Sequence, residues 1–149
     1  MKIEEEIKQK KFNSEYQKVI INILYTASWL SLSNNKFLKQ FGISQEQYNV
    51  LRILRGQNGQ PSSVHLICDR MIDKASNASR IVEKLRMKEY VTRMESTTDR
   101  RQVDIYITEK GLHLLKEADL ELENFENNLK TLSKKEAEQL NLLLDKLRG

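Results

Sequence analysis

The sequence predicts a mainly α-helical protein with one small β-hairpin, and three observations predict it. Apolar residues step by threes and fours through most of the chain. Near residue 90 the period drops to two, and Val103, Ile105 and Ile107 alternate with Gln102, Asp104 and Tyr106. Charge is also unevenly spread. Over residues 70–101 nine Lys or Arg stand against five Asp or Glu, a local +4, whereas residues 109–149 carry seven against nine, a local −2. A positive excess confined to one segment suits a surface that meets an anionic polymer.

Taken in order, Phe12, Tyr16, Val19, Ile20, Ile23, Ala27 and Leu30 predict a long amphipathic helix from Phe12 to about Leu32. A second row, Ile21, Tyr25, Trp29 and Leu32, widens its stripe enough for more than one partner surface. Asn34-Asn35 is expected to break or bend it. A short helix through Phe37, Leu38 and Phe41 then ends at Gly42, a natural left-handed stop. Ser44 and Gln47 form a capping box for a helix holding Tyr48, Leu51 and Leu54. It closes before the loop Gly56-Gln57-Asn58-Gly59-Gln60-Pro61. Ser62 or Ser63 caps the next short helix, with Val64, Ile67, Cys68 and Met71 inward.

Residues 73–108, DKASNASRIVEKLRMKEYVTRMESTTDRRQVDIYIT, organise the chain. A tight turn at Met71-Ile72-Asp73 leads into a helix N-capped by Asp73, so the two short helices make a helix-turn-helix. Ala75, Ala78, Ile81, Val82 and Leu85 make its apolar face; Lys74, Ser76, Asn77, Ser79, Arg80 and Lys84 make its polar face. Short hydrogen-bonding groups near a helix start, with longer cations beyond, suit base-edge reading and phosphate holding. Ser76, Asn77 and Arg80 are the base-edge candidates, Asn pairing with adenine and Arg with guanine through two hydrogen bonds each. Ser63, Lys74, Lys84 and Arg93 are assigned to phosphates. The hairpin turn carries Asp99, Arg100 and Arg101. Arg101 is the first choice for a narrow A·T-rich minor groove and Arg100 for phosphate, with the order open to reversal; Asp99 orients an arginine. The competing reading of each is a solvated helix face and an ordinary charged turn. A helix followed by a basic hairpin is a winged helix in outline.

After the hairpin, Thr108 opens a helix in which Leu115, Ala118, Leu122, Phe125, Leu129 and Leu132 alternate spacings of three and four, a coiled-coil seam. Ser133 and Glu136 cap a last helix carrying Ala137, Leu140, Leu144 and Leu147. This apolar surplus calls for the first helix, a second copy of the chain, or both.

At 149 residues the chain is long enough to bury a real core as one domain, or one domain with appended helices. No apolar run approaches the roughly 18 residues needed to cross a bilayer. The start MKIEEEIKQKK lacks the apolar core of a secretory signal, and a single cysteine precludes an intrachain disulfide; both suit the cytoplasm. Two histidines give no Ser-His-Asp arrangement, and there is no P-loop or dinucleotide fingerprint, so no enzyme and no cofactor is expected. His65 and Cys68 sit three apart, but two ligands do not make a zinc site; no metal is expected, and Cys68 reads as a partly buried inert thiol.

At this point the chain resembles the MarR-type (multiple antibiotic resistance regulator) winged-helix transcription regulators. ISQEQYNVLRIL resembles the helix before their DNA-binding motif, and DKASNASRIVEKL their recognition helix. DRRQVDIYITEKG resembles their wing signature, here Asp99, Arg100, Arg101, Thr108 and Gly111. The likeness is close over residues 43–115 and by pattern only in the flanking helices. It implies a winged helix-turn-helix over residues 44–110, flanked by dimerisation helices at 1–43 and 111–149. It further implies a homodimer on palindromic operator DNA, with recognition helices in successive major grooves and wings in flanking minor grooves. A small aromatic or phenolic effector is implied too, and Tyr25, Trp29 and Tyr48 are candidates to line its pocket, although aromatic residues at helical spacing are more often core. One departure is that Lys88 is followed by Glu89 where the family commonly has glycine. Another is the lack of the reactive cysteine that the peroxide-sensing branch carries near the start of its first long helix. The leading function is a ligand-relieved repressor; the alternative is a winged-helix protein-interaction module without specific DNA binding.

Overall fold

A computed structural model describes residues 1–96, 103–128 and 131–149. Its helices are α1 (Ile3–Glu6), α2 (Glu15–Leu38), α3 (Gln45–Arg55), α4 (Val64–Arg70), α5 (Ala78–Met87), α6 (Glu109–Asn128) and α7 (Lys134–Arg148). Strands β1 (Val91–Glu95) and β2 (Val103–Ile107) lie between α5 and α6. They pair antiparallel, with Val91 opposite Ile107 and Arg93 opposite Ile105. Ser62 exchanges two backbone hydrogen bonds with Ile105, of 3.0 and 2.9 Å, which ties the start of the helix-turn-helix to the hairpin. The mainly helical winged-helix architecture read from the sequence is the one observed.

The core is built around α3. Val50, Leu51 and Leu54 meet Ile67 of α4, Leu85 of α5, Ile105 of β2 and Leu115 of α6, each 2% exposed or less. Leu38, at the end of α2, and Ile43 complete this core from the N-terminal side. At the middle of α6, Tyr48 and Arg55 of α3 both reach Asp119: the Tyr48 hydroxyl donates at 3.2 Å and the Arg55 guanidinium at 2.5 Å.

Several boundaries move relative to the sequence reading. Ser14, rather than the region of Phe12, starts α2, its hydroxyl accepting from the Gln17 N–H at 3.1 Å. The helix runs unbroken through Asn34-Asn35, because burying Leu38 and packing Phe37 on the core outweigh the small helical penalty of two asparagines. A 3₁₀ turn, Lys39–Phe41, then closes on Gly42 at φ 66°, as the left-handed stop requires. The charged start holds a one-turn helix: Ile3 is buried, Lys18 pairs with Glu4 at 2.6 Å, and the Tyr25 hydroxyl donates to Glu6 at 2.6 Å. Ser63, not Ser62, caps α4, and both expected capping boxes, at Ser44 and Ser133, are present.

The leucine seam divides in two. Leu115 and Ala118 are fully buried in the lobe core and Leu122 packs against it, whereas Leu132 is exposed. Leu129 and the side chain of Phe125 lie outside the described residues. Helix α7 has no buried residue, and Leu140, Leu142, Leu143 and Leu147 stand exposed on it. Helix α2 likewise exposes Tyr16, Ile20, Leu24 and Leu32. No helix among the described residues is long and apolar enough to cross a membrane.

The exit from α5 and the entry into α6 form one tight junction. Glu89 N–H donates to Arg86 C=O and Tyr90 N–H to Leu85 C=O, the two bonds of a Schellman stop, with Glu89 at φ 63°. Thr108 donates its N–H to Tyr90 C=O at 3.1 Å and its hydroxyl to Glu89 C=O at 2.8 Å, and the same hydroxyl accepts from Gly111 N–H at 3.1 Å. A Cβ at Gly111 would sit 2.5 Å from the Tyr90 carbonyl oxygen and 2.8 Å from Ile107 Cγ1. Gly111→Ala should therefore destabilise the fold by about 1–3 kcal/mol in urea unfolding, the usual scale of overpacking. Glu89→Gly should do the opposite, adding roughly 0.5–1 kcal/mol by relieving the left-handed residue.

Candidate nucleic-acid interface

The turn of the helix-turn-helix is longer than the sequence suggests. Helix α4 ends at Arg70, and α5 does not begin until Ala78. Asp73 is not the N-cap. Its carboxylate accepts from Ala75 N–H at 3.0 Å and from the Ser76 hydroxyl at 2.6 Å, folding residues 73–76 into a side-chain-stabilised turn. These bonds, the Ser76 one foremost, hold the Asp73 carboxyl below its ordinary value. The cap is Asn77, whose Oδ1 accepts from Arg80 N–H at 3.0 Å. Asp and Asn are near-equal caps, so local chemistry alone does not choose between two candidates four residues apart. Burial chooses: Ala78 and Val82 enter the core, while Ala75 is left exposed outside the helix.

The sequence-assigned polar residues consequently divide into two groups. Ser79, Arg80 and Lys84 are exposed on α5, and among the described residues neither Arg80 nor Lys84 is held in an ion pair. Arg93 projects exposed from β1, close enough to Glu83 for its charge to help lower that carboxyl, after the dominant hydrogen bond from Arg86. Lys74 and Ser76 precede the helix; the Lys74 ammonium donates to the Asp69 carbonyl, and the Ser76 hydroxyl is spent on Asp73. The Ser63 hydroxyl accepts from Leu66 N–H at 3.1 Å. Asn77 Oδ1 spends one lone pair on the cap, so the two-bond adenine pairing expected of this residue would have to use the second. Asp99, Arg100 and Arg101 lie outside the described residues.

An open groove of about 750 Å³ runs between the N-terminal end of α3 and α5, lined by Glu46, Gln47, Arg80, Ile81, Lys84 and Lys88 among others. Lys88 was absent from the sequence-derived set. The signal that could have found it is spacing, since it follows Lys84 by four on the same helical row. The aromatic trio proposed for an effector is not assembled here. Tyr48 is buried and bonded to Asp119, Tyr25 is bonded to Glu6, and Trp29 stands exposed on α2. Burial and the Asp119 charge push the Tyr48 hydroxyl above its ordinary value. His65 faces Asp69 at 3.4 Å, and Cys68 packs half-buried on the core.

The fold is a winged helix with helical extensions, and residues 43–111 match a family described as a winged helix DNA-binding domain. Among curated proteins, the HTH-type transcriptional regulator MhqR of Bacillus subtilis (strain 168) is 35% identical over 81 residues, 54% of this chain and 54% of that protein. The transcriptional repressor MprA of Escherichia coli (strain K12) is 30% identical over 104 residues, 68% of this chain and 59% of that protein. The chain thus spans little more than half the length of these relatives. Among solved structures, a MarR transcription factor from Planctomyces limnophilus aligns at 27% identity and TM-score 0.69, covering 91% of this chain and 98% of that one. The organohalide-sensing regulator RdhR-CbdbA1625 in its 2,4-dichlorophenol-bound form aligns at TM-score 0.80 and 20% identity, over 94% and 85%. The S. aureus MepR–DNA complex aligns at TM-score 0.76 and 22% identity, over 92% and 96%. The chain is thus similar in fold to a MarR transcription factor over most of its length, and in sequence to the winged helix DNA-binding family over residues 43–111.

The Asp73 turn has a titration signature. A carboxyl held low in the folded state adds stability in full above the ordinary carboxylate range, and that stability is lost as pH falls through the folded midpoint. Followed by side-chain NMR, the Asp73 midpoint should lie below its ordinary value and rise toward it in Ser76→Ala.

Proposed function

We propose that the protein is a homodimeric, sequence-specific DNA-binding transcription regulator of the cytoplasm, a repressor relieved by a ligand at a palindromic operator. The observation that carries this reading is the outer face of α5. Arg80 and Lys84 stand exposed there at the end of a helix-turn-helix, and Arg93 stands exposed on the strand that follows. A cation without an ion-pair partner is free to exchange its counterions for phosphates.

In this reading Arg80 reads a base edge from the major groove and Asn77 assists at the helix start. Lys84, Arg93, Lys74 and Ser63 hold phosphate; Ser76 and Ser79 line the approach; Arg100 and Arg101, with Asp99 orienting them, reach the minor groove from the wing. The apolar side chains exposed on α2 and α7 support pairing with a second copy, which places two α5 helices on a two-fold site. Structural likeness to a MepR–DNA complex supports DNA as the partner, and kinship with a protein named as a repressor supports the direction of control. Likeness to a regulator solved with 2,4-dichlorophenol supports a small aromatic or phenolic effector. Trp29, exposed on α2 four residues after Tyr25, is then the reporter of its arrival, and Tyr25 and Tyr48 complete the candidate set.

A mobility shift against the DNA upstream of the protein's own coding sequence, run at two salt concentrations, tests the proposal. Arg80→Ala should cost about 1–3 kcal/mol and relax preference at one base pair. Lys84→Ala should weaken all sequences alike and reduce the salt slope by about one. Wild-type binding that is only weak and sequence-independent at physiological salt would overturn it.

A further inference from the structure

Lys88 is the residue at which α5 stops, and its side chain turns away from the outer face toward the junction of α2 and α3. The ammonium donates to the Gly42 carbonyl at 2.5 Å and reaches Gln47 Oε1 at 3.4 Å. Gly42 is the left-handed residue that ends the α2 run. Its carbonyl belongs to the negative end of that helical segment, where a cation is favoured both by the dipole and by the unsatisfied oxygen. Gln47 is buried, and its Oε1 also accepts from Ser44 N–H at 3.1 Å in the capping box of α3. One ammonium thus joins the C-terminal end of α5, the end of α2 and the start of α3. Among the described residues, no other hydrogen bond links the C-terminal end of α5 to the end of α2.

We infer that Lys88 is a positioning residue for DNA recognition, fixing the tilt of α5 against the long helix α2 rather than contacting DNA itself. The inference rests on the DNA-binding reading above. Lys84 and Lys88 share a helical row, yet geometry gives them opposite tasks. Lys84 is exposed and free for phosphate, while Lys88 is half-buried and committed to Gly42. Any change in how α2 is seated then reaches α5 through this cation, without passing through the hydrophobic core.

Lys88→Met keeps the aliphatic stem and removes the donor, and Lys88→Arg keeps the charge. In Lys88→Met, amide exchange over residues 42–47 should accelerate, and operator affinity should fall about tenfold with the salt slope unchanged, since no phosphate contact is lost. Lys88→Arg should recover most of the affinity. A salt slope lowered by about one with unaltered exchange would make Lys88 a phosphate contact and overturn the inference, as would unchanged affinity and exchange. If the wild type binds no operator at all, the function reading fails. The exchange arm still tests the Lys88–Gly42 tie, and unchanged exchange removes it.

Discussion

The carbonyl of Tyr90 is where this structure is most constrained. Strand β1 begins beside it, Thr108 of the β2 exit donates to it, and Gly111 of α6 presses so close that no side chain fits. Three elements are therefore packed at backbone distance instead of side-chain distance. That contact aims the hairpin relative to α6, and through the Schellman stop at Glu89 it also sets where α5 ends. A helix-turn-helix needs its second helix and its wing held in one fixed relation, because each is to touch the same ligand. Here that relation depends on a few backbone hydrogen bonds and one missing methyl group.

Outside this junction the molecule separates into a packed lobe and unpartnered arms. The lobe buries the middle of α3 with one side of α4, α5, β2 and the first turns of α6, and Arg55, Tyr48 and Asp119 tie α3 to α6 at its edge. That ion pair is about one-third exposed on each side, so solvent weakens it and its value is orientation more than stability. The arms carry their leucines outward. A chain that keeps so much apolar surface exposed on α2 and α7 while closing its core elsewhere carries more apolar residues than its own lobe buries.

Legibility from sequence followed the range of the physics involved. Periodicity located every long helix and the second strand, because a buried face imposes its repeat directly on the residues. Capping boxes at Ser44 and Ser133 were legible for the same reason: donor and acceptor are three residues apart. Asp73 and Asn77 were confused because both are good caps, and only the burial of Ala78 and Val82 against distant partners separates them. Asn34-Asn35 looked like a break because the anchoring of Leu38 in a core built from elements distant in sequence cannot be seen locally. The wing signature was read as one motif, Thr-x-x-Gly, and its cause proved non-local, since the glycine answers to Tyr90 rather than to its neighbours. The role of Lys88 was invisible for a related reason: its acceptor lies 46 residues away.

The cap at Asn77 has a bearing on how permissive this protein is toward its target. An amide oxygen fixed on the helix start has one lone pair already used, so its amide hydrogens are the freer part of the group, and a donor is satisfied by guanine N7 or O6, adenine N7 or thymine O4 alike. In the proposed complex the cap position of α5 would therefore be the more lenient reader, and discrimination would fall three residues later, on Arg80. Degeneracy across a set of operators would then cluster at the base pair facing Asn77, written there by a hydrogen bond the helix needs for its own start.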